Sequence, residues 1–253
     1  MILLPRSSWE IKTTQKKGRG VFAKKNITAG TVIGDYIGKV IKTAEEDTVE
    51  TDEGLYLMYY HDYASLYPID VHAPGIHLLN HSCDPNCWMY TYKGHTLFFS
   101  LRHIFAGEEL TASYLLSPQE NCNHCPHVCR CESPFCTHTM HLSQERFDQW
   151  NEFNEKETKK TKRARIRYGK ELPRLSSYPE TISDNAIYPL LGSLEKEPII
   201  DTNKKLPSRK ELRKRIRDTG RTIAFPFLKT IVLGIKNDEI ISKPYERTSS
   251  QAG

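Results

Sequence analysis

Cysteines are the residues of this sequence whose spacing points most directly to chemistry. All seven lie between residues 83 and 136 of the 253-residue chain, and five fall within residues 122–136. Cys129, Cys131 and Cys136 have the spacing C-x-C-x4-C. Zinc takes four thiolate or imidazole ligands in a tetrahedron, so three ligands from one tight loop leave a fourth to come from elsewhere. The spacing predicts a metal site, and four thiolates would make it a closed, structural one.

The setting of these cysteines follows from the rest of the chain. The apolar run after Met1 stops at Pro5 and does not read as a secretory signal, and no later stretch approaches the roughly 20 apolar residues that cross a bilayer. An odd cysteine count without such a signal argues against a disulfide framework. We therefore expect an intracellular protein with reduced cysteines and no membrane partner.

A second group of metal-binding side chains precedes the first. Cys122 and Cys125, with His127 close behind, could form a rival or an additional metal site, or could be neighbours by chance. We expect the histidines of this region at the surface rather than as ligands, and these are His124, His127, His138 and His141.

Three further segments are ordinary when each is taken alone. Lys17 to Gly20 contains G-x-G, but it does not follow a strand and open a helix, so a tight turn is the simple interpretation and a dinucleotide fingerprint is excluded. Asn80 to Asn86 is a polar run directly after apolar residues, as an Asx turn before a proline would be. Tyr114 closes a strand-like segment that begins at residue 107.

Short strands must position these motifs. Up to residue 114 the sequence shows short β-branched and aromatic runs broken by glycine, proline and charge, without a long helical period. Residues 88–92 and 95–101 are joined by Lys93-Gly94, which predicts a hairpin. Residues 115–140 have too little aliphatic content to form a core of their own. Helix formers then predict helices at 144–160 and 208–218, and residues 244–253 read as a frayed terminus.

In combination, the glycine turn, Asn80-His81-Ser82-Cys83 and Tyr114, followed by C-x-C-x4-C, resemble the SET-domain protein lysine methyltransferases with a post-SET zinc element. The resemblance implies a mainly β fold, the SET-domain β-clip of several short sheets with a threaded C-terminal segment. It divides the chain into a SET domain at 8–116, a post-SET zinc-binding element at 117–140 and a basic, partly helical C-terminal extension at 141–253.

The same resemblance implies cofactors and roles. S-adenosylmethionine would be the methyl donor, Tyr114 would be the catalytic tyrosine, and zinc would fold the post-SET loop over the donor. The implied cofactor-binding residues are Lys17, Gly18, Arg19, Gly20, Tyr56, Asn80 and His81. The implied zinc ligands are Cys83, Cys129, Cys131 and Cys136.

The chain departs from the family pattern at two positions. Ala112 stands where many members have a phenylalanine or tyrosine that controls how many methyl groups fit, so the number of methyl groups added stays open. Glu132 replaces a glycine that is common in the post-SET loop. Direct transfer to a neutral amine needs no acid-base dyad, and we expect Glu108 and Glu109 in the turn before the strand that ends at Tyr114.

The charges predict different partners for the two halves of the chain. Residues 1–140 carry a net charge of −3 and residues 141–253 one of +8. By resemblance, an acidic stretch lies beside the peptide groove and suits a basic, histone-like tail, the alternative being a solvated loop. Its members are Glu45, Glu46, Asp47, Glu50, Asp52, Glu53 and Asp62.

A basic run from Lys159 to Arg165 indicates a nuclear address or a weak nucleic-acid contact, with a solvated helix face as the alternative. We therefore expect a nuclear or chromatin-associated lysine methyltransferase. Two alternatives are a non-catalytic chromatin-binding module and a methyltransferase of a non-histone protein.

Overall fold

The computed structural model describes residues 1–42, 56–60, 64–68, 70–122, 125–160, 168–188 and 194. Within these residues the chain is mainly β, as the short β-branched and aromatic runs predict. The strands are β1 (Trp9–Thr13), β2 (Arg19–Ala23), β3 (Val32–Asp35), β4 (Lys39–Lys42), β5 (Met58–Tyr60), β6 (Ala64–Tyr67), β7 (Asn80–His81), β8 (Cys87–Tyr92), β9 (His95–Ser100) and β10 (Glu109–Ala112). The helix α1 spans Gln144–Lys160, and short 3-10 helices lie at Arg6–Ser8, Ile76–Leu78, Gln119–Asn121 and Asp184–Ala186.

The strands form several small sheets, which confirms the predicted fold class. Their orders are β1-β2-β10-β7, β3-β9-β8 and β4-β6-β5. Neighbouring strands are antiparallel except β10 and β7, which run parallel. β10, the last strand among the described residues, therefore lies inside the first sheet, between β2 and β7. A threaded C-terminal segment would bring these same segments together, and the threading itself stays a prediction.

The predicted hairpin is the β8–β9 pair, in register from Cys87↔Ser100 to Tyr92↔His95. Its two central residues, Lys93 and Gly94, have φ angles of 49° and 83°. Positive φ at both positions is what the two-residue type I′ turn requires. The hairpin prediction is confirmed.

Two hydrophobic clusters hold the sheets together. In one, Val21 of β2 and Leu110 of β10 pack with Leu66 of β6, and all three are fully buried. The other surrounds Trp88 of β8 and Phe99 of β9. Because each cluster draws on more than one sheet or on later segments, the small sheets are stabilised mainly by burial against one another.

Helix α1 has the predicted bounds and packs on the second cluster. The ring of Trp88 stacks on Tyr188 with centroids 5.6 Å apart and planes 15° apart. Trp150 of α1 meets Trp88 edge-on at 5.6 Å, and Phe153 packs beside them. Aromatic pairs in these arrangements stabilise beyond their buried area. This part of the segment beyond residue 140 therefore lies against the β sheets.

Several sequence predictions fall on residues outside the described ranges. They are the acidic side chains from Glu45 to Glu53 together with Asp62, the basic run beyond Lys160, the helix at 208–218 and the frayed terminus at 244–253. In the part of the chain that is described, no helix has both the length and the apolar character that a bilayer-spanning segment requires.

Candidate active site

The first sheet gathers motifs that are far apart in the sequence. β10 pairs on one side with β2, which begins in the glycine turn at Arg19, and on the other with β7, which is Asn80–His81. Because β10 ends at Ala112, Tyr114 leaves the sheet beside β7. The topology therefore places the glycine turn, the Asn-His pair and the distal tyrosine together.

Asn80 ties the glycine turn to β10. Its Nδ2 donates to the carbonyl of Arg19 at 3.0 Å and to Oε1 of Glu109 at 2.7 Å. The other carboxylate oxygen of Glu109 pairs with the Lys17 ammonium, and both of these side chains are largely buried. Since charge-assisted hydrogen bonds are stronger than neutral ones, the Lys17, Asn80 and Glu109 side chains form a rigid polar group at the start of β2.

The two glycines of the turn are needed for different reasons. A Cβ on Gly20 would stand 2.6 Å from Oε1 of Glu109 and 2.8 Å from Nδ2 of Asn80. Gly18 has open space around it but a φ of +67°, in the left-handed region that side chains disfavour. Gly20 thus permits a close approach, whereas Gly18 permits the turn itself.

Arg19 directs its guanidinium away from this group. Its two terminal nitrogens donate to the carbonyls of Val71 at 2.9 Å and His72 at 3.1 Å. Its main-chain carbonyl, which accepts from Asn80, is the part that reaches the site. The side chain therefore fixes the segment before the Ile76–Leu78 helix.

A cavity of about 790 Å³ opens beside the sheet. Five of the predicted site residues line it, namely Lys17, Tyr56, Asn80, His81 and Tyr114, whereas Gly18, Arg19 and Gly20 are not among its described lining. The sequence did not predict the other parts of the wall, among them the aromatic residues Tyr36, Tyr90, Phe98, Trp150 and Phe153. The cavity is thus polar near Lys17 and Asn80 and rich in aromatic rings elsewhere, and its volume lies in the range of small-molecule sites.

His81 connects Tyr114 to Cys83. The main-chain N–H of Tyr114 donates to Nδ1 of His81 at 3.2 Å, so in the neutral ring Nε2 carries the hydrogen. Nε2 lies 3.6 Å from Sγ of Cys83. Burial lowers the pKa of His81 to about 4. His81 is therefore neutral at physiological pH and bridges the strand end and the cysteine.

The hydroxyl of Tyr114 donates to the carbonyl of Leu79 at 3.1 Å. The residue is 42% exposed, and its side chain lines the open cavity. Burial, and secondarily the neighbouring Tyr56, raise the pKa of Tyr114 above its ordinary value. The side chain is therefore a phenol at neutral pH, with its hydrogen committed to Leu79 and its oxygen lone pairs available.

Glu109, expected in a turn, is instead the first residue of β10. That part of the prediction is wrong, because the antiparallel pairing with Phe22 begins at Glu109. Glu108 does precede the strand, and its carboxylate pairs with Arg102 at 2.8 Å. Glu109 is a site residue that only long-range pairing could reveal.

Cys83, Cys129, Cys131 and Cys136 converge, with all four sulfur atoms within 4.8 Å of one another. Cys83 and Cys129 have sulfurs 3.6 Å apart. Hydrogen bonding from Cys83 lowers the pKa of Cys131, and the same contact raises the pKa of Cys83. This four-cysteine cluster has the donor set of a closed zinc site.

Glu132, in the loop of the four-cysteine cluster, adopts a backbone conformation that favours glycine. Its φ is +56°, which is unfavourable for a side chain. Its carboxylate pairs with the ammonium of Lys16 at 2.5 Å. The departure from glycine thus links the loop of the four-cysteine cluster to the residues just before the glycine turn.

The expectation for the histidines is wrong at His141, which is 7% exposed. Its main chain forms a parallel bridge with Leu116, and this buries the ring. His127 is half-buried, while His138 is at the surface as predicted. His124 lies outside the described residues.

Residues 18–115 match the family model of the SET domain. The small sheets, the parallel β7–β10 pair and the gathered motifs occupy this segment, and the chain contains a SET domain there.

Three similar proteins carry the name histone-lysine N-methyltransferase. Histone-lysine N-methyltransferase 2B of Homo sapiens is 33% identical over 128 residues, which are 47% of this chain and 5% of that protein. Su(var)3-9 of Drosophila melanogaster is 34% identical over 148 residues, with 49% and 23% covered. An H3 lysine-36 specific enzyme of Cryptococcus neoformans is 31% identical over 140 residues, with 52% and 16% covered. The chain thus spans less than a quarter of the length of each relative.

Proposed function

We propose that this chain is a protein-lysine N-methyltransferase that transfers a methyl group from S-adenosylmethionine to a lysine in a basic, histone-like protein segment. The observation that carries this function is the meeting of Asn80, His81 and Tyr114 at one cavity. The SET domain and the names of the three relatives support the same reaction class.

The cavity fits a donor that has a charged amino acid at one end and a flat base at the other. Lys17 brings an ammonium that it shares with Glu109, and Asn80 brings an amide whose Nδ2 is already bonded to Arg19 and Glu109. Both lie near a turn whose Gly20 leaves no room for a Cβ. The aromatic wall offers faces on which a purine can stack. When bound, S-adenosylmethionine supplies a methyl group on a positive sulfonium.

Tyr114 serves to orient the incoming amine. Its hydrogen bond to Leu79 fixes the phenol, and its raised pKa excludes it as a base at neutral pH. The oxygen lone pairs that remain can accept from the lysine N–H groups and favour the positive charge that passes between donor and amine. Fixed dipoles of this kind cost no reorganisation during the reaction.

The lysine must arrive as a neutral amine. With an ordinary pKa near 10.4, deprotonation at pH 7 costs about 4.6 kcal/mol. Apolar surroundings such as Phe98 and Ala112 disfavour an ammonium, and so does a neighbouring positive charge. Alignment inside the channel supplies the positional part of the rate.

The four-cysteine cluster fits a structural zinc ion held by Cys83, Cys129, Cys131 and Cys136. Four sulfur ligands leave no position for a water, so this ion would order the loop rather than act on the substrate. Arg130, which lies between two of these ligands, lines the cavity. Zinc binding would therefore stabilise one wall of the site, as the post-SET element of the resemblance implies.

The acidic stretch at 45–62 supports a basic substrate. Reversing Glu45, Glu46 and Asp47 to lysine should raise KM for a basic peptide by about 10-fold while changing kcat little, because the charges act on association. A control with three exposed acids reversed elsewhere, Glu120, Glu171 and Glu180, keeps the same net charge. Equal KM values for both variants would contradict the acidic groove.

The basic run from Lys159 to Arg165 supports a nuclear location and a weak nucleic-acid contact. A fluorescent fusion with this run neutralised should lose nuclear accumulation. Binding to DNA should weaken steeply with salt if the contact exists. Unchanged location and no salt-dependent binding would leave the run as a solvated surface.

The central experiment incubates the purified chain with labelled S-adenosylmethionine and either core histones or a cell lysate. Tyr114→Phe should lower transfer by about 100-fold, the size expected when one positioning group is removed. Tyr168→Phe is the matched control, because Tyr168 is exposed and its ring contacts Lys42. Equal labelling by Tyr114→Phe would refute the assignment, and no labelling by any form would favour a non-catalytic chromatin-binding module. Label only on lysate proteins would favour a non-histone substrate.

A further inference from the structure

A second set of metal-binding side chains converges outside the four-cysteine cluster. Cys122, Cys125, His127 and His141 bring two sulfur and two imidazole nitrogen atoms within 4.8 Å of one another. Nδ1 of His127 lies 3.6 Å from Sγ of Cys122 and 3.7 Å from Sγ of Cys125. Nε2 of His141 lies 3.0 Å from Sγ of Cys125. We call these residues the Cys2His2 cluster.

These separations are close to those of a zinc tetrahedron. With zinc–sulfur distances of about 2.3 Å and zinc–nitrogen distances of about 2.0 Å, the sulfur–nitrogen edges are about 3.5 Å. The two distances from His127 agree with that edge. The contact between Cys125 and His141 would lengthen by about half an ångström when an ion enters.

His141 is held in the tautomer that a metal needs. Its Nδ1 contacts the main-chain carbonyl of Ser117, and a carbonyl can only accept, so Nδ1 carries the hydrogen. Nε2 therefore presents its lone pair toward Cys125. A carbonyl partner on the far nitrogen is the usual support of a metal-binding histidine. The ring is 7% exposed, so this orientation is fixed by the protein.

Hydrophobic burial does not explain how residues 117–141 hold a defined conformation. Among the described residues between 117 and 141, only two nonpolar side chains are buried, and these are Pro118 and Cys129. Fixing each backbone residue costs about 1–2 kcal/mol of conformational entropy, and metal binding can offset such a cost. The four ligands come from both ends of this segment, and His141 at its far end is bridged to Leu116 just before its start.

We propose that Cys122, Cys125, His127 and His141 bind a second, structural zinc ion that is separate from the four-cysteine cluster. The site is closed, with two thiolates and two neutral imidazoles and no position for water. It stands independently of the methyl transfer proposed above, because it rests on a different set of side chains.

The two clusters hold neighbouring points of one strip of chain. Val128 separates His127 from Cys129 and pairs with Thr139. The N–H of Cys129 donates to the carbonyl of His138 at 3.0 Å, and the N–H of Met140 to that of His127 at 3.0 Å. Both Val128 and Met140 line the cavity. The second ion therefore fixes a part of the cavity wall that the four-cysteine cluster holds from the other side.

The first test counts zinc in the purified full chain by elemental analysis. Two ions are expected per chain, falling to one in Cys122→Ser/Cys125→Ser and to one in Cys131→Ser/Cys136→Ser. Cys87→Ala, which removes the cysteine outside both clusters, should retain two. A single ion that survives in Cys122→Ser/Cys125→Ser and is lost in Cys131→Ser/Cys136→Ser would overturn the second site.

A second test needs no substitution and so does not depend on the folding of variants. X-ray absorption of the zinc-loaded chain reports the average ligand shell, with sulfur near 2.3 Å and nitrogen near 2.0 Å. Two filled sites predict an average of three sulfurs and one nitrogen per zinc. An all-sulfur shell would overturn the proposal. Because neither readout uses methyl transfer, an inactive chain with two zinc ions would refute only the proposed enzyme function.

Discussion

Replacing Gly20 by alanine tests how the glycine turn is built. The new Cβ would lie 2.6 Å from Oε1 of Glu109 and 2.8 Å from Nδ2 of Asn80, whereas ordinary contacts begin near 3.4 Å. Both polar groups would have to move by more than half an ångström. Such overpacking costs about 1–3 kcal/mol of unfolding free energy. It would also disturb the hydrogen bond from Asn80 to Arg19.

Gly18→Ala is the matched control in the same turn. Its Cβ meets no atom within 4 Å, but its φ of +67° makes a side chain unfavourable, at a cost of about 1–2 kcal/mol. The two variants should therefore lose similar stability for different reasons. Only Gly20→Ala displaces Asn80, so only it should weaken binding of S-adenosylmethionine, by about 10-fold or 1.4 kcal/mol.

Urea denaturation would give the stabilities, and titration calorimetry with S-adenosylmethionine would give the affinities. Adding Glu109→Ala removes the nearest contact of the new Cβ, so the double variant should be less destabilised than the sum of the single variants. The reasoning is refuted if Gly20→Ala keeps wild-type stability, or if both glycine variants bind the donor equally.

Three other outcomes follow from the structure. Because the pKa of Tyr114 lies above its ordinary value, kcat/KM should keep rising from pH 7 to about 9.5 as the substrate lysine deprotonates; a descending limb below pH 9 would contradict this. Burial lowers the pKa of His77 in the folded protein. The neutral His77 ring therefore stabilises the fold fully above the unfolded pKa of about 6.5, and this stabilisation is lost as the pH falls from there toward the folded pKa. The unfolding free energy of His77→Gln should therefore fall less between pH 7 and pH 5 than that of the wild type or of the exposed control His72→Gln. Equal losses in all three proteins would contradict this role of His77. Glu132→Gly should keep its stability or gain up to about 1 kcal/mol, because relief of the positive φ outweighs an exposed ion pair with Lys16; a loss above about 1 kcal/mol in urea denaturation would show that the ion pair dominates.

The β8–β9 hairpin, helix α1 and the three-cysteine loop could be predicted because residues adjacent in the sequence determine each of them. Lys93-Gly94 defines the β8–β9 turn, and the helix formers define α1 at Gln144–Lys160. The grouping of Cys129, Cys131 and Cys136 follows from their close spacing. In each case, a few adjacent residues carry the information that selects the structure.

The parts that sequence reasoning missed depend on contacts across the fold. Glu109 joins the site because β10 pairs with β2, and a turn-like sequence before a strand does not show where the pairing starts. His141 is buried by its bridge to Leu116 and by the Ser117 carbonyl. Tyr36 reaches the cavity wall from the segment just after β3, and its hydroxyl donates to the Tyr56 carbonyl. Tertiary pairing sets these positions, which residue type alone does not encode.

The aromatic wall formed by α1 lies beyond the segment that matches the SET domain. Trp150 is held there by Tyr188, whose ring is 5.6 Å away and whose hydroxyl donates to the Arg146 carbonyl at 3.0 Å. A fragment that ends at residue 115 would therefore lack one face of the cavity. We expect the smallest fragment that retains the whole cavity to extend through Tyr188. Within the proposed function, mutation of this single helix would change the aromatic surface on which the donor's purine stacks and leave the polar group around Lys17 and Asn80 unaltered.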